Sequence, residues 1–363
     1  DLPFDIDAEF RNLGTSTISS MDFNYSINGG AAVTSNLTGL GISSYASAML
    51  STTSKWTPSA IGVYTIKIWA SNLNSNNPDE NNSNDTVTKM VNVVDNFAVR
   101  RPLYETFTSS TCPPCVPANT NMEALFNASG NAGEQTSIKY QMSWPGAGDP
   151  YFTDEGSVRR TYYAVNSVPN VAIDGGWNNN GNSLTQGIMD QYKGIPSFIE
   201  MDVRHIANGQ SQTVNIDVNA DFLNAISDPS NTLHVAIVEN ITYQNIGTNG
   251  ETEFHHVMKK MLPDASGTTI GAQPKGMKTW KFSYTFEGNF RVPNNASDPI
   301  NHATEHSIEN FANIGVVAWI QNNSTKEVYQ SASNMQEIGI DENLGAIDFN
   351  IFPNPAKDFL NIR

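Results

Sequence analysis

Short stretches in which hydrophobic and polar residues alternate run through the first 95 residues, with Asn- and Gly-containing turns between them. Period-two alternation puts every second side chain on one face, which is typical of a half-buried β-strand. The stretches lie at residues 4–10, 21–27, 62–70 and 86–94. Strands of this length and spacing, about six to eight in all, predict a β-sandwich over residues 1–95.

From residue 96 to about residue 197, strand-like and helix-like patterns alternate along the chain. The predicted strands are residues 103–108, 136–141 and 170–174, and the predicted helices are residues 114–126, 154–164 and 183–193. Apolar residues of the first helix fall on one face, as in an amphipathic helix. They are Ala118, Met122, Leu125 and Phe126. The alternation predicts an α/β domain over residues 96–197.

Residues 198–337 return to β character. The expected strands, which alternate or run apolar, are residues 199–204, 213–220, 233–238, 278–285, 314–321 and 327–331. They predict a second antiparallel β-sandwich, interrupted at residues 253–263 by a bent strand or a short helix. His255 and His256 in this interruption point to different faces of either element, so they are poorly arranged to chelate a metal ion.

The charge of the chain narrows the choice of partners. A formal net charge of −16 over 363 residues disfavours nucleic acid and anionic membrane surfaces. We interpret the acidity as a solubility feature rather than as a site for a specific cationic partner. The mean hydropathy is −0.36, and no apolar run is long enough to span a bilayer. Because the chain begins inside a strand-like pattern, we expect that a leader preceded Asp1.

The only two cysteines, Cys112 and Cys115, lie between the first predicted strand and the first predicted helix of the α/β segment. Two thiols at this spacing suit thiol–disulfide exchange, in which one thiolate attacks a partner disulfide and the second releases the partner. A helix N-terminus favours the thiolate of Cys112, because the helix dipole is positive there. Half of a zinc site has the same spacing, but the chain has no second cysteine pair to complete one.

Residues 167–175, with the sequence SVPNVAIDG, resemble the cis-proline strand of the thioredoxin superfamily, which lies beside a cysteine pair. The resemblance implies a thioredoxin-like fold for residues 96–197. It also implies that Cys112 is the nucleophile, that Cys115 is the resolving thiol, and that Pro169 follows a cis peptide bond and docks a bound peptide.

Departures from the thioredoxin pattern count against efficient redox catalysis. The position of the buried acid, six residues before the first cysteine, holds Thr106, and the neighbouring Glu105 should point to the other face of the strand. The residue before the first cysteine is Thr111 instead of the usual Trp. Trp144, in the loop 142–150 that could overhang the cysteines, is either a substrate contact or an ordinary loop anchor.

The two ends of the chain carry further resemblances. Residues 1–95 resemble immunoglobulin-like modules of bacterial surface proteins, with Trp56-Thr57-Pro58 before a strand and Trp56 expected in the core. Residues 349–362, with the sequence FNIFPNPAKDFLNI, resemble the start of the C-terminal sorting domain of type IX secretion cargo. We therefore assign residues 338–363 to a truncated sorting domain.

The whole chain resembles the outer-membrane-protein-related secreted proteins of the Bacteroidota, which combine immunoglobulin-like modules, a thioredoxin-like core and a sorting tail. This resemblance implies export by the type IX secretion machinery, a secreted or outer-membrane-associated surface location, and no transmembrane segment. It does not imply an enzymatic activity, because a shared fold is weak evidence for catalysis.

Two functional classes follow. We favour a non-catalytic surface, assembly or adhesion protein whose thioredoxin-like scaffold is closed by a Cys112–Cys115 disulfide, because the outside of a cell offers no thioredoxin reductase. The alternative is an extracellular thiol–disulfide oxidoreductase that uses both cysteines on protein or peptide substrates. The reduction potential of the pair distinguishes the two hypotheses.

Two modification or ligand sites are predicted around residue 85. The segment 72–85 crowds carboxylate and amide oxygens, which Ca²⁺ prefers, and its charged candidates are Asp79, Glu80 and Asp85. The alternative is a turn, because Asn favours turns. Apart from this calcium site we expect no cofactor. Thr86 lies in an Asp-Thr-Val sequence that resembles the O-glycosylation pattern of exported Bacteroidota proteins, and an unmodified strand residue is its alternative.

Overall fold

The computed structural model describes residues 3–75, 85–94 and 96–335, together with residues 351–352 and 361–362. The chain forms two compact units, Asp1–Asn96 and Phe97–Arg363. Strands far outnumber helices in both, so the expectation of a multidomain, mainly β protein is confirmed at this level.

The described part of the first unit contains six strands in two sheets. They are β1 (Asp7–Arg11), β2 (Ile18–Ile27), β3 (Val33–Ile42), β4 (Ser47–Ser51), β5 (Gly62–Ser71) and β6 (Thr86–Val93). One antiparallel sheet has the order β3-β2-β5-β6, and β1 pairs with β4 in the other. Both sheets contribute to one apolar core around Phe23, Tyr25 and Ile66, against which Trp56 packs as expected.

The sequence pattern did not predict β3 or β4. Within β3 only Ser35 and Ile42 are fully buried, so a polar residue occupies one of its two innermost positions. The Ser35 hydroxyl accepts a hydrogen bond from the Thr53 amide at 2.9 Å. A strand that satisfies a buried polar group in this way shows no hydrophobic alternation, which is why the pattern missed it.

The second unit contains the remaining strands and all three described α-helices. The strands up to residue 335 are β7 (Leu103–Thr108), β8 (Thr136–Gln141), β9 (Asn170–Ile173), β10 (Trp177–Asn179), β11 (Ile199–Asn208), β12 (Thr213–Phe222), β13 (Asn231–Thr242), β14 (Phe254–Leu262), β15 (Thr268–Thr269), β16 (Gly276–Thr285), β17 (Asn289–Phe290), β18 (Glu305–His306), β19 (Ile314–Asn322) and β20 (Val328–Met335). The helices are α1 (Cys115–Phe126), α2 (Asp154–Tyr162) and α3 (Gln186–Lys193).

A nine-stranded mixed sheet runs through this unit in the order β10-β9-β7-β8-β14-β13-β19-β20, with β15 beside β13. β7 runs parallel to β8 and antiparallel to β9. β8 also runs parallel to β14, where Lys139 pairs with Val257. The domain boundary expected near residue 197 therefore lies inside one unit. β14, in which Val257, Met258 and Met261 are buried, lies between β8 and β13 and so joins strands from both sides of that position.

Different layers cover the two faces of the large sheet. The antiparallel sheet β11-β12-β16 packs on one face of β13 and β19, where Ile216 and Val218 meet Val235 and Val316. α1 and α3 cover one face of β7 and β9, in a cluster that includes Tyr104, Met122 and Met189. These layers place α1 and the residues before it at one end of the sheet.

Local signals set the ends of the helices. α2 begins after Thr153, whose hydroxyl accepts from the Gly156 amide, and it ends at Tyr162 rather than at residue 164, where Ala164 has a φ of 54°. α3 begins after the capping residue Thr185, three residues later than the pattern predicted. For residues 253–263 the sequence left a bent strand or a short helix open. The structure has a strand, β14, and it bends at His256, whose φ is 53°.

The two short strands β21 (Ile351–Phe352) and β22 (Asn361–Ile362) pair antiparallel near the end of the chain. They coincide with the two strand-like runs on either side of the Pro-Asn-Pro sequence. Residues 336–350 and 353–360, which include that sequence and most of the expected sorting segment, lie outside the described residues.

Candidate functional site

The candidate site is the turn between β7 and α1. Cys112 and Cys115 are joined by a disulfide, with their Cα atoms 5.3 Å apart. α1 begins at Cys115 with Pro114 as its N-cap, so Cys112 lies in the preceding turn rather than in the first helical turn. The amide of Cys112 donates to the Ser109 carbonyl, and the amide of Cys115 donates to the Cys112 carbonyl, both at 3.0 Å.

The proline strand lies beside the cysteine pair. The peptide bond between Val168 and Pro169 is cis, and Pro169 is buried. The Val168 carbonyl oxygen is 3.7 Å from the Cys112 Sγ. β9 follows immediately and pairs with β7, which holds the proline next to the turn. The structure thus brings together the three residues Cys112, Cys115 and Pro169 that the sequence pattern assigned to one site.

Both cysteines are nevertheless buried. Cys112 exposes 1% of its surface and Cys115 exposes 0%, whereas Pro113 and Pro114 between them are exposed. The turn therefore presents its two proline rings to solvent rather than a sulfur atom.

One covering segment is the loop 142–150, which the sequence placed over the cysteines. The Thr111 hydroxyl donates to the Pro145 carbonyl at 2.7 Å. Trp144 packs partly against the core, and the Arg160 guanidinium lies 4.8 Å from its ring centroid. Trp144 was expected to be either a substrate contact or a loop anchor, and these contacts make it an anchor of the loop.

A second covering segment, residues 243–253 between β13 and β14, was not foreseen from the sequence. The Asn249 amide donates to the Ser110 carbonyl at 2.9 Å, and the Asn249 side-chain amide donates to the Ser109 carbonyl at 3.3 Å. Gly247 approaches Ser110 so closely that an added Cβ atom would lie 2.5 Å from the Ser110 carbonyl oxygen. An Asn-Gly-rich sequence indicates a turn but carries no signal for the surface on which it docks.

Asp149 links both covering segments to the cysteine turn. Its carboxylate is fully buried and accepts from the Ser110 amide at 2.9 Å and from the Tyr151 amide at 2.8 Å. The Asn245 side-chain amide donates to the same carboxylate at 3.3 Å. Burial raises the pKa of Asp149, and the hydrogen bonds that it accepts act in the opposite direction. Asp149 therefore holds the cover on the turn through a desolvated group, which is costly to leave without its partners.

Thr106, at the position of the expected buried acid, and its neighbour Glu105 lie on opposite faces of β7. Thr106 faces α1, with its hydroxyl 3.8 Å from the Met122 sulfur. Glu105 lies on the opposite face, as predicted, where it pairs with Arg159 at 2.8 Å. On the α1 face, the Lys139 ammonium pairs with Glu123 at 2.7 Å. Burial acts to raise the pKa of Glu123, but the charge of Lys139 leaves it lowered.

The remaining predicted site residues precede the second unit in the chain. Asp79 and Glu80 lie outside the described residues, while Asp85 immediately precedes β6. Thr86 is the first residue of β6 and is exposed. Within the described ranges, no group of three or more His, Cys, Asp or Glu side chains is arranged to hold a metal ion. His255 instead pairs with Glu253 at 2.9 Å.

No helix among the described residues is both long and apolar enough to cross a membrane.

No protein-family model and no curated protein matches this chain. Among solved structures, HBP35 of Porphyromonas gingivalis has 13% sequence identity, covers 73% of this chain and 84% of its own, and gives a TM-score of 0.47. A protein from Agrobacterium tumefaciens has 16% identity, 68% and 99% coverage, and a TM-score of 0.42. A domain of the outer membrane lipoprotein Omp28 from Porphyromonas gingivalis has 16% identity, 38% and 88% coverage, and a TM-score of 0.25. Similarity of this degree does not define a family or a function.

Proposed function

We propose that this chain is a secreted or cell-surface protein with a non-catalytic role in surface assembly or adhesion. Its thioredoxin-like segment acts as a scaffold that the Cys112–Cys115 disulfide closes. The observation that carries the proposal is the burial of both cysteines, which expose 1% and 0% of their surface. Thiol–disulfide exchange requires access of an attacking thiolate to a sulfur atom, so a covered pair exchanges only after the cover opens.

The cover is fixed by polar contacts in a buried setting. Opening residues 243–253 removes the Asn249 hydrogen bonds to the cysteine turn and one partner of the Asp149 carboxylate. Such losses oppose spontaneous opening, because a buried acceptor without its partner costs about 1–3 kcal/mol. The disulfide then serves to hold the start of α1 rather than to turn over.

Export by the type IX secretion machinery is the second part of the proposal. It rests on the resemblance of residues 349–362 to the start of a sorting domain and on the resemblance of residues 1–95 to immunoglobulin-like surface modules. Both resemblances fit a protein that works outside the cell, where a cysteine pair at this spacing is stable as a disulfide.

The reduction potential of the pair tests the scaffold role. The full chain is equilibrated against a series of glutathione buffers, the thiols are alkylated under denaturing conditions, and the reduced fraction is measured by mass. We expect a potential below about −300 mV, which is typical of structural disulfides. A potential near about −120 mV, as in strong oxidants, would refute the scaffold role.

A loop variant tests whether residues 243–253 protect the disulfide. Gly247→Ala places a Cβ atom against the Ser110 carbonyl and should displace the loop, so phosphine reduction of the native disulfide should become faster. Ile246→Ala is the matched control, because Ile246 lies in the same loop and is 53% exposed. Equal reduction rates in the two variants and the parent chain would mean that the loop does not limit access.

The second candidate function is an extracellular thiol–disulfide oxidoreductase. One observation favours it, namely the position of the Val168 carbonyl 3.7 Å from the Cys112 sulfur, beside the strand that would dock a peptide. In a Cys115→Ser variant, an oxidoreductase would accumulate a mixed disulfide between Cys112 and a disulfide-containing peptide. The scaffold proposal expects Cys112 in this variant to react only after unfolding.

A further inference from the structure

A cavity of about 550 Å³ lies between α1 and residues 250–255, the segment that leads into β14. It is separate from the proline strand, because none of residues 167–175 belongs to its lining. Most of its lining residues are polar, among them Asn119, Glu123, Lys139, Gln141, Glu251 and Glu253. Its size falls within the range of about 300–1,000 Å³ that is typical of small-ligand sites.

Gln141 is the feature that points to a ligand. Its side chain lines the cavity and is 2% exposed, yet neither its amide oxygen nor its amide nitrogen has a hydrogen-bond partner among the described residues. The Asn119 amide oxygen is likewise buried without a partner. Buried polar groups are almost always paired, so these atoms are complementary to a bound group that offers both donors and an acceptor.

The charged residues of the lining indicate the sign of the charge that a ligand should carry. Three glutamates line the cavity together with Lys139 and His255. Lys139 is paired with Glu123 at 2.7 Å and His255 with Glu253 at 2.9 Å, so both are already engaged. The Glu251 carboxylate accepts from two neutral side-chain amides, those of Asn119 at 2.8 Å and Asn249 at 2.6 Å. No cationic side chain among the described residues forms an ion pair with Glu251, which leaves its negative charge available to a ligand.

We propose that this cavity binds a cationic amino-acid residue, arginine or lysine, whose guanidinium or ammonium group meets Glu251 and whose carbonyl group meets Gln141. A guanidinium or ammonium group supplies the N–H donors that Glu251, Asn119 and the Gln141 oxygen accept. The adjacent carbonyl accepts from the Gln141 amide nitrogen. A bare metal ion would not satisfy the lining, because an amide N–H donor cannot ligate it.

The site is independent of the proposed scaffold role, since neither cysteine takes part in it. It nevertheless adjoins the cysteine turn, because Val116 and Asn119 belong to the first turns of α1. The same Glu251 and Asn249 that line or border the cavity also tie residues 243–253 to the turn. A ligand that engages Glu251 therefore binds next to the cover of the disulfide.

The test is calorimetric titration of the full chain with four probes. They are the tripeptide acetyl-Gly-Arg-Gly-amide, the same tripeptide with neutral citrulline in place of arginine, free arginine, and calcium chloride. We expect the arginine tripeptide to bind with a Kd of about 1 mM or tighter, and the citrulline tripeptide to bind at least tenfold more weakly, because it lacks the charge. Free arginine binding as tightly as the tripeptide would identify the free amino acid as the source of the same chemistry.

Variants locate the binding. Glu251→Gln removes the charge while keeping the shape, and it should weaken the arginine tripeptide about tenfold or more. Gln141→Leu should also weaken binding, and it should raise the urea midpoint of the free chain, because it removes an unpaired buried amide. Glu287→Gln changes the net charge by the same amount at an exposed position and should leave binding unchanged.

The proposal is overturned if no probe binds at concentrations up to about 10 mM, or if the citrulline tripeptide binds as tightly as the arginine tripeptide. It is also overturned if Glu287→Gln and Glu251→Gln have equal effects. Calcium binding that is lost in Glu251→Gln, without arginine binding, would reassign the cavity to a metal ion. Circular dichroism of each variant establishes that a loss of binding is not a loss of fold.

Discussion

Replacing Arg159 by Met should strongly destabilise the second unit, because it leaves the buried carboxylate of Glu105 without its cationic partner. Arg159 is 2% exposed, and its Nε and Nη2 atoms donate to the two oxygens of Glu105 at 2.8 Å each. Glu105 is 1% exposed and also accepts from the hydroxyls of Tyr140 at 2.8 Å and Tyr163 at 2.5 Å. Desolvation acts to lower the pKa of Arg159, but the Glu105 charge leaves it raised, so the guanidinium stays charged.

The magnitude follows from what remains after the substitution. Met fills much of the space of the Arg stem but supplies no charge, so Glu105 keeps only the two tyrosine hydroxyls as partners. Breaking a buried ion pair on one side costs about 3–5 kcal/mol. Removing both charges, with Glu105→Leu added to Arg159→Met, removes the acceptor of the Tyr140 hydroxyl but leaves the Tyr163 hydroxyl its donor Gln321 at 2.9 Å. The double substitution should therefore cost less than the single one, about 1–3 kcal/mol.

Equilibrium urea unfolding of the full chain, followed by far-UV circular dichroism, measures these differences at constant m-value. Arg204→Met is the control, because the Arg204 side chain is 78% exposed and pairs with Asp202 on the surface at 2.9 Å, where an ion pair contributes little. A cost for Arg159→Met no larger than that of the control would refute the reasoning. So would a double variant that is less stable than Arg159→Met alone.

Further predictions concern acid stability, export and the N-terminal unit. His234 is buried against Trp319, and burial, followed by the charge of Arg159, lowers its pKa from 6.5 to about 3. The unfolded chain then binds more protons below pH 6.5, so the urea midpoint should fall as the pH drops from 6.5 towards 4, and less so in His234→Phe. Deleting residues 338–363 should leave folding intact and block surface delivery, and normal surface labelling of the deletion variant would contradict the sorting role. Millimolar calcium should raise the Tm above its value in chelator if residues 72–85 bind the ion, whereas an unchanged Tm leaves them as a turn. Protein from the native host should be heavier than the bare polypeptide if Thr86 carries a glycan.

Strong local patterns in the sequence were sufficient for part of the fold. The strands Leu103–Thr108 and Thr136–Gln141 have the predicted bounds, because apolar and β-branched residues run between clear turns. The predicted ends of the helices were less accurate. The start of α3 depends on one capping residue, Thr185, and α2 ends just before Ala164, which has a positive φ; hydrophobic periodicity reports neither feature. The polar strand β3 left no hydrophobic alternation to detect.

The sequence predicted the part of the candidate site that short sequence motifs define. The resemblance carried by the cysteine spacing and the Val-Pro sequence predicted that both cysteines and Pro169 lie together. The cover over them depends on contacts across more than a hundred residues, such as Asn249 with Ser110. No periodicity reports such a contact, because Asn and Gly mark a turn wherever the turn docks.

The parallel pairing of β8 with β14 has a consequence for how this chain can be cut. A fragment that ends near residue 197 would lack β14 and would leave β8 as an unprotected edge strand. All six residues of β8 are buried in the intact unit, so the fragment would expose backbone hydrogen-bonding groups and the side chains of Ile138 and Tyr140 that β14 and its neighbours normally cover. Exposed edges of this kind recruit other strands and aggregate. Recombinant fragments for crystallography or display should therefore retain the chain through β20 rather than isolate the cysteine-containing segment.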